Sequence, residues 1–246
     1  MQTTTHQRPK EDFIRGVFAA IATRYDLMNT LISFNQHKRW RVFAVGLSGM
    51  PPGGNGLDVC CGTGSFCLEQ AKAAGPNGQV TGLDFCEEML AIAQKNIQNT
   101  PYQQIIKFVH GNAMDLPFAD DTFDCATIGF ALRNVPDITK CLQEMLRVVK
   151  PGGRVVSLEL AKPSIPIWKH IYYLYLNGIM PLIGRLTGRS SPYRWLSDSL
   201  KIFPHQSEIL SLFKHVGMPE TKCYEMTGSI VAVHVGIKPF RETMLS

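Results

Sequence analysis

LDVCCGTGSF (residues 57–66) places two adjacent cysteines at the end of an apolar run and follows them with glycines at 62 and 64. A metal or redox site, a nucleotide loop and a plain tight turn all compete for this stretch, and the elements around it decide. GLDVC reads as a buried strand, SFCLEQAKAA as a helix, GPNG as a turn, QVTGLDF as a second strand and CEEMLAIAQKNIQ as a second helix, its apolar positions at helical spacing. A third strand is expected near IIKFVHGNA, a fourth at FDCATIGFAL, a helix at DITKCLQEMLRVVK and a fifth strand at GRVVSLEL after a PGG turn. A helix near HQSEILSLFKHVG and strands near CYEM and SIVAVHVGIKP complete the pattern. Such alternation predicts an α/β fold, a mostly parallel sheet with helices on both faces, whose ligands sit beyond the carboxyl ends of the strands where strand order reverses.

The 246 residues, 45% hydrophobic and 18% charged, suit one domain spanning 1–246, with residues 1–10 as a mobile polar arm and 163–204 as a helical insertion. A net charge of +5 is mildly basic. It permits attraction to an anionic lipid surface but lacks the clustered Lys and Arg of a nucleic-acid binder. The polar start MQTTTHQRPKEDF has no apolar core of an export signal, so the expected location is the cytoplasm, with room for peripheral contact at the inner face of the membrane. Seven cysteines form no C-x-x-C pair. Cys60 and Cys61, adjacent on an extended backbone, would point to opposite sides and could not converge on a metal, so the thiols are expected as small buried filler and no metal is assigned.

The glycine stretch is then the first strand-to-helix turn. Gly62 and Gly64 let backbone approach a ligand closely, and Asp84, about 20 residues on at the end of the second strand, suits a carboxylate accepting both ribose hydroxyls. A nicotinamide dinucleotide would want a third glycine where Cys67 stands. S-adenosylmethionine fits better, having no pyrophosphate to cradle, and Asp58 could orient its cationic end. Asn112 and Ala113 fall at the end of strand three, where an amide and a backbone N–H can read an adenine edge, although Asn112 also suits a turn.

YDLMNTLISFNQHKRW (25–40), through Tyr25, Asp26, Met28, Asn29, Ser33, His37 and Trp40, and RVVKPGGRVVSLELA (147–161), through Arg147, Lys150, Pro151, Gly152, Gly153 and Glu159, resemble the two signature stretches of the menaquinone and ubiquinone biosynthesis C-methyltransferases. The resemblance runs from about residue 10 to 238. It implies a class I S-adenosylmethionine-dependent methyltransferase fold of seven strands, the last antiparallel, with N-terminal helices. It also implies a cofactor site at Thr63, Asp84, Asn112 and Ala113, and a substrate site at Arg133, Asn134 and Tyr25. Two positions depart from the pattern: Ala161, where the family usually has serine, and Gly129, where many members have a cofactor-contacting serine. The vicinal cysteines with NAMDLPF resemble the menaquinone-dedicated branch more than the ubiquinone one, which implies a prenylated naphthoquinol acceptor.

The chemistry of that acceptor can be argued independently. Transfer from a sulfonium to a ring carbon needs an electron-rich carbon, so a quinone must first be reduced to the quinol. FALRNV (130–135) follows strand four and would project Arg133 and Asn134 over the reacting centre. Arg133, always cationic, can stabilise a developing phenolate, while His37 and His205 are the titratable candidates, each with a packing or capping role as the alternative. Tyr25 and Trp40 also suit a core, and Glu159 suits a structural carboxylate as well as a site residue. The insertion from Pro163 to Pro192, flanked by Lys169, Arg185, Arg189 and Arg194, is too interrupted to span a bilayer. It could cover an isoprenoid tail and touch the membrane, or serve as a helical cap or homodimer face. Two other classes stay open: an NAD-dependent oxidoreductase, and a nucleic-acid methyltransferase, which would want a polar-Pro-Pro-aromatic run where FALRN stands.

Overall fold

The computed structural model describes residues 7–163, 170, 172, 174, 178 and 198–240, with side chains from Ile14 onward. Seven strands, β1 (Asn55–Val59), β2 (Gln79–Asp84), β3 (Ile106–His110), β4 (Phe123–Gly129), β5 (Val149–Leu160), β6 (Thr221–Met226) and β7 (Val231–Ile237), form one sheet in the order β3-β2-β1-β4-β5-β7-β6. β1 to β5 pair in parallel, and β7 runs antiparallel to both β5 and β6. The helices are α1 (Gln7–Ile21), α2 (Tyr25–Ile32), α3 (Gln36–Ser48), α4 (Ser65–Ala74), α5 (Glu87–Ile97), α6 (Ile138–Val148) and α7 (Gln206–His215). This is the class I methyltransferase arrangement, and strand order reverses between β1 and β4.

Every strand and helix expected from residue 55 to 160 is present, with informative differences at the ends. β1 stops at Val59 and β4 at Gly129, because Cys60 and Phe130 both take left-handed backbone at φ 55 and cannot continue a strand. Cys60 is therefore not extended, contrary to the expectation from sequence. α6 ends at Val148 rather than at residue 150, since the residue before Pro151 is pushed out of helical backbone, and β5 begins at once. Asp137 caps α6, accepting from the Lys140 N–H at 2.9 Å. Residues 7–10, expected as arm, form the first turn of α1, while residues 1–6 and 241–246 lie outside the described residues. Most of the 163–204 insertion, including Lys169, Arg185, Arg189 and Arg194, also lies outside them. Its described Tyr172 and Leu200 pack with Met28, Ile32, Leu160 and Ile230.

Alternation along the central strands sorts side chains to two faces. Leu57, Val59 and Ile128 join Leu142 and Met145 of α6 and Phe213 of α7, whereas Trp40, Ala44 and Val45 of α3 pack with Phe66, Val156, Leu158 and Val233 on the other side. Asp58, between Leu57 and Val59, is thereby turned toward α4. There the buried Gln70 donates to the Thr127 hydroxyl at 2.7 Å, Thr127 donates to the Asp58 carboxylate at 2.7 Å, and the Cys67 thiol approaches the other oxygen at 3.6 Å. Gln70 fits because Gly56 has no Cβ; one would lie 2.3 Å from its side-chain oxygen.

Burial raises the Asp58 pKa from 3.8 to about 7, against the hydrogen bonds from Thr127 and Cys67. The folded protein thus binds this proton more tightly than the unfolded chain does, so the residue's contribution to stability falls as pH rises from about 4 to about 7. Asp58→Asn should be more stable than the wild type above pH 7, by on the order of 4 kcal/mol at most, with the gap closing below pH 4. Denaturant unfolding of both proteins across this range checks it, and a gap independent of pH contradicts a raised Asp58 pKa.

Candidate functional site

Beyond the carboxyl ends of β1, β2 and β4 lies a cleft enclosing, up to its mouth, about 860 Å³. Its floor includes Cys60, Gly62, Asp84, Ala113 and Gly129, and its walls include Phe85, Met89 and Phe18. Asp84 organises this side. One carboxylate oxygen accepts the Gly62 N–H at 2.8 Å and the other the Cys86 N–H at 2.9 Å, and the Phe85 N–H is directed at the same carboxylate. Burial raises the Asp84 pKa, and the N–H donors of Cys86 and Gly62 oppose that rise.

These residues fit S-adenosylmethionine. A carboxylate fixed by backbone N–H groups at the lining of the cleft can accept from the hydroxyls of a vicinal diol, and a Cβ built on Gly62 would meet nothing within 4 Å, so backbone here lies open to a ligand. Ala113 lines the cleft, as does Asn112, whose side-chain oxygen also accepts the Met114 N–H at 2.9 Å, so its turn role is real as well. A pyrophosphate is poorly served: the Gly62 N–H is already given to a carboxylate, and that charge would repel the anion.

Three sequence candidates stand elsewhere. Asp58 does not line the cleft, because its strand position aims it into the Gln70–Thr127 chain beneath the loop. Thr63 is buried and donates its hydroxyl to Asp26 at 2.8 Å. Gly64 serves packing rather than ligand approach: it stands in left-handed backbone (φ 79) before α4, and a Cβ there would sit 3.1 Å from Phe108 and 3.2 Å from Ala93. Cys67, in place of a third glycine, packs α4 onto β2. Its sulfur would lie 2.7 Å from a Cβ on Gly82 and the Cys61 sulfur 2.9 Å, so Gly82 makes room for both. Burial drives the thiols of Cys60, Cys61 and Cys67 upward in pKa, away from thiolate chemistry.

A second cleft of about 770 Å³ adjoins the first and shares Phe18, Tyr25 and Phe130 with it. α1 contributes Val17 and Ile21, α2 contributes Met28, Asn29 and Ile32, and His37, Trp40, Arg133 and Leu160 complete its lining. Arg133 is locked by an ion pair to the buried Glu159 and by donation to the Phe130 carbonyl at 2.7 Å, while Glu159 also accepts the Leu160 N–H at 2.9 Å. The Arg133 Nε has no hydrogen-bond partner among the described residues. Asn134, next in sequence, lines the first cleft instead, so the pair is divided between the two. Tyr25 stands at their junction, its pKa raised by burial against a hydrogen bond from Asn29 and the charges of Arg133 and Arg41.

His37 lines the second cleft, and burial, with the cations Arg41 and Lys38, depresses its pKa to about 4. The Ser33 hydroxyl lies 2.6 Å from the Asn29 carbonyl and 2.7 Å from His37 Nδ1. With the hydroxyl proton given to Asn29, Nδ1 is the donor and Nε2 the acceptor. His205 caps α7, accepting from the Ser207 N–H, and lines neither cleft. Sequence reasoning passed over Asp26 as a latch. Its carboxylate takes the Thr63 hydroxyl and, at 3.3 Å, Asn96, which also donates to the Thr63 carbonyl, tying α2 to the glycine turn. It passed over Phe130 as a shared wall too, since nothing in the local sequence announces left-handed backbone at a phenylalanine.

Residues 4–238 match the model of the ubiE/COQ5 methyltransferase family. The demethylmenaquinone methyltransferase of Desulfitobacterium hafniense (strain Y51) is 47% identical over 233 residues, 94% of this chain and 92% of that protein. The protein of the same name from Bacillus subtilis (strain 168) is 45% identical over 94% of this chain and all of its own length. A SAM-dependent methyltransferase from Aquifex aeolicus superposes with a TM-score of 0.62 at 17% identity, covering 89% of this chain and 97% of that one. A SAM-dependent methyltransferase from Thermotoga maritima gives 0.62 at 19%, covering 91% and 98%.

Gly129, the departure from the family pattern, has a local cause: a Cβ there would lie 2.1 Å from the Phe66 ring. Gly129→Ala should destabilise the protein by roughly 1–3 kcal/mol, and by clearly less in a Phe66→Leu background, where the colliding ring atoms are gone. Calorimetry on the double-mutant cycle measures the difference; equal losses in both backgrounds contradict the packing account.

Proposed function

The chain belongs to the ubiE/COQ5 methyltransferase family, and from that premise we propose that it transfers a methyl group from S-adenosylmethionine to a ring carbon of demethylmenaquinol, forming menaquinol. The observation that carries this reading is the pair of adjoining clefts, one built around a carboxylate for a diol and one largely apolar with a single fixed guanidinium. The benzoquinol acceptor of the ubiquinone branch is the alternative substrate. The expected setting is the cytoplasm, where the seven free thiols persist, with the prenyl tail keeping the substrate at the membrane.

When bound, S-adenosylmethionine supplies an electrophilic methyl on a sulfonium sulfur. Asp84 holds the ribose hydroxyls, Gly62 gives close backbone approach, and Asn112 and Ala113 meet the base. Tyr25 and Phe130, common to both clefts, fix the separation between donor and acceptor rings, and such positioning supplies up to roughly 7–11 kcal/mol of a two-reactant barrier. The quinol ring lies among Met28, Ile32, Trp40 and Leu160, with one hydroxyl toward Arg133. That guanidinium cannot take a proton, but it stabilises the negative charge that builds on the oxygen as the ortho carbon becomes nucleophilic. Glu159 keeps the cation aimed. His37, neutral at physiological pH, is too weak a base to deprotonate a phenol outright, yet its Nε2 can accept the hydroxyl hydrogen bond and raise the electron density of the ring.

Purified protein with S-adenosylmethionine should methylate a short-chain demethylnaphthoquinol kept reduced, and mass spectrometry should show product from the naphthoquinol in excess of that from a benzoquinol. No product with verified cofactor binding refutes the substrate assignment. Asp84→Ala should weaken S-adenosylmethionine binding about tenfold or more. Arg133→Gln with Glu159→Gln, which leaves no unpaired buried charge, should leave binding within a few-fold and lower kcat about 10²–10³-fold. Calorimetric titration and single-turnover rates separate the two, and similar binding losses in both proteins contradict this division of roles.

A further inference from the structure

α2 presents apolar side chains on two adjacent faces. Met28 and Ile32 line the second cleft, while Leu27 and Leu31, one helical turn apart, face outward at 60% and 56% exposure. Each of the helix's eight residues keeps part of its surface exposed. The ridge continues past its end: Phe34 and Asn35 take consecutive left-handed conformations (φ 49 and 63), and this turn leaves the Phe34 ring 76% exposed. A non-glycine pair in that region is strained, and here the strain holds an aromatic side chain in water. Exposed basic residues flank the ridge, Arg24 before it and Lys38 and Arg39 after it. The one acid between residues 23 and 43, Asp26, is turned inward on Thr63 and Asn96.

An apolar ridge with a cationic border and no outward acid is complementary to an anionic lipid surface. A second copy is disfavoured, because a two-fold contact through this patch would bring like charges together around its rim. We propose that Leu27, Leu31 and Phe34 insert into an anionic bilayer while Arg24, Lys38 and Arg39 meet its headgroups, so that the helix walling the acceptor cleft is also the docking element. This rests on the reading of the acceptor as a membrane-borne prenylated quinol, and it places docking on described residues of the N-terminal region rather than on the 163–204 insertion.

The full-length protein should co-sediment with phosphatidylglycerol vesicles at moderate salt and only weakly with phosphatidylcholine vesicles. Leu31→Gln with Phe34→Asn, and separately Arg24→Gln with Arg39→Gln, should each weaken that binding about tenfold or more, the second pair also flattening its salt dependence. Both variants should turn over a short-tailed soluble demethylnaphthoquinol like the wild type and lose rate on a long-tailed substrate held in vesicles. The proposal is overturned if the wild type ignores anionic vesicles, if the variants bind them as well as the wild type, or if sedimentation velocity finds a wild-type dimer that the same substitutions dissolve. Failure of the functional reading would look different: the soluble acceptor would go unmethylated, whatever the vesicles do.

Discussion

The bond from the Gly62 N–H to the Asp84 carboxylate holds the cofactor side of the molecule together. It joins the turn after β1 to the end of β2 and, with the Cys86 N–H on the other oxygen, fixes the carboxylate in one orientation. A buried carboxylate is costly unless its lone pairs are engaged, and backbone N–H groups of Gly62, Phe85 and Cys86 engage this one. The arrangement therefore selects for hydroxyl donors and against phosphate, and this separates a methyltransferase loop from a dinucleotide loop built on the same strand-turn-helix frame.

From this anchor the second cleft follows by short physical links. Asn96 and Asp26 meet at Thr63, so α2 rides on the same turn that presents Gly62. Trp40 donates to the Thr227 hydroxyl at 2.9 Å and stands 6.4 Å from the Phe130 ring, which ties α3 to the far side of the sheet. Glu159, ending β5, fixes Arg133 beyond β4. The walls of both clefts thus hang from neighbouring strands of one sheet and share Tyr25 and Phe130.

Much of the fold was legible in the chain because apolar periodicity and turn residues report directly on strands and helices. The run from Gly56 to Leu160 was read in order, with Gly62 in the first strand-to-helix turn, Asp84 at the end of β2 and Arg133 beyond β4, where they stand, while Ala113, expected at the end of β3, lies past its last residue, His110. What the sequence left unread is the partnership of its polar groups. Asp58 and Thr63 are polar residues beside a ligand loop, and sequence alone could not say that Asp58 would spend its oxygens on Thr127 and Cys67, or Thr63 its hydroxyl on Asp26. Their partners are remote along the chain and become neighbours only in the folded state. Asn134 was assigned to the acceptor with Arg133, yet the chain turns between them and sends each to a different cleft.

Sequence by itself determined the succession of strands and helices, the parallel α/β frame it implies and the residue types at the strand ends, since local propensity and burial pattern act over a few residues, whereas the reversal of strand order between β1 and β4 appears only in the assembled sheet. Tertiary structure decided where two strands stop, through left-handed Cys60 and Phe130. It also decided why residue 129 must be glycine beneath the Phe66 ring, and which polar groups are consumed by one another rather than offered to a ligand. Hydrogen-bond partnership and steric exclusion depend on distances across the fold, and no local pattern encodes them.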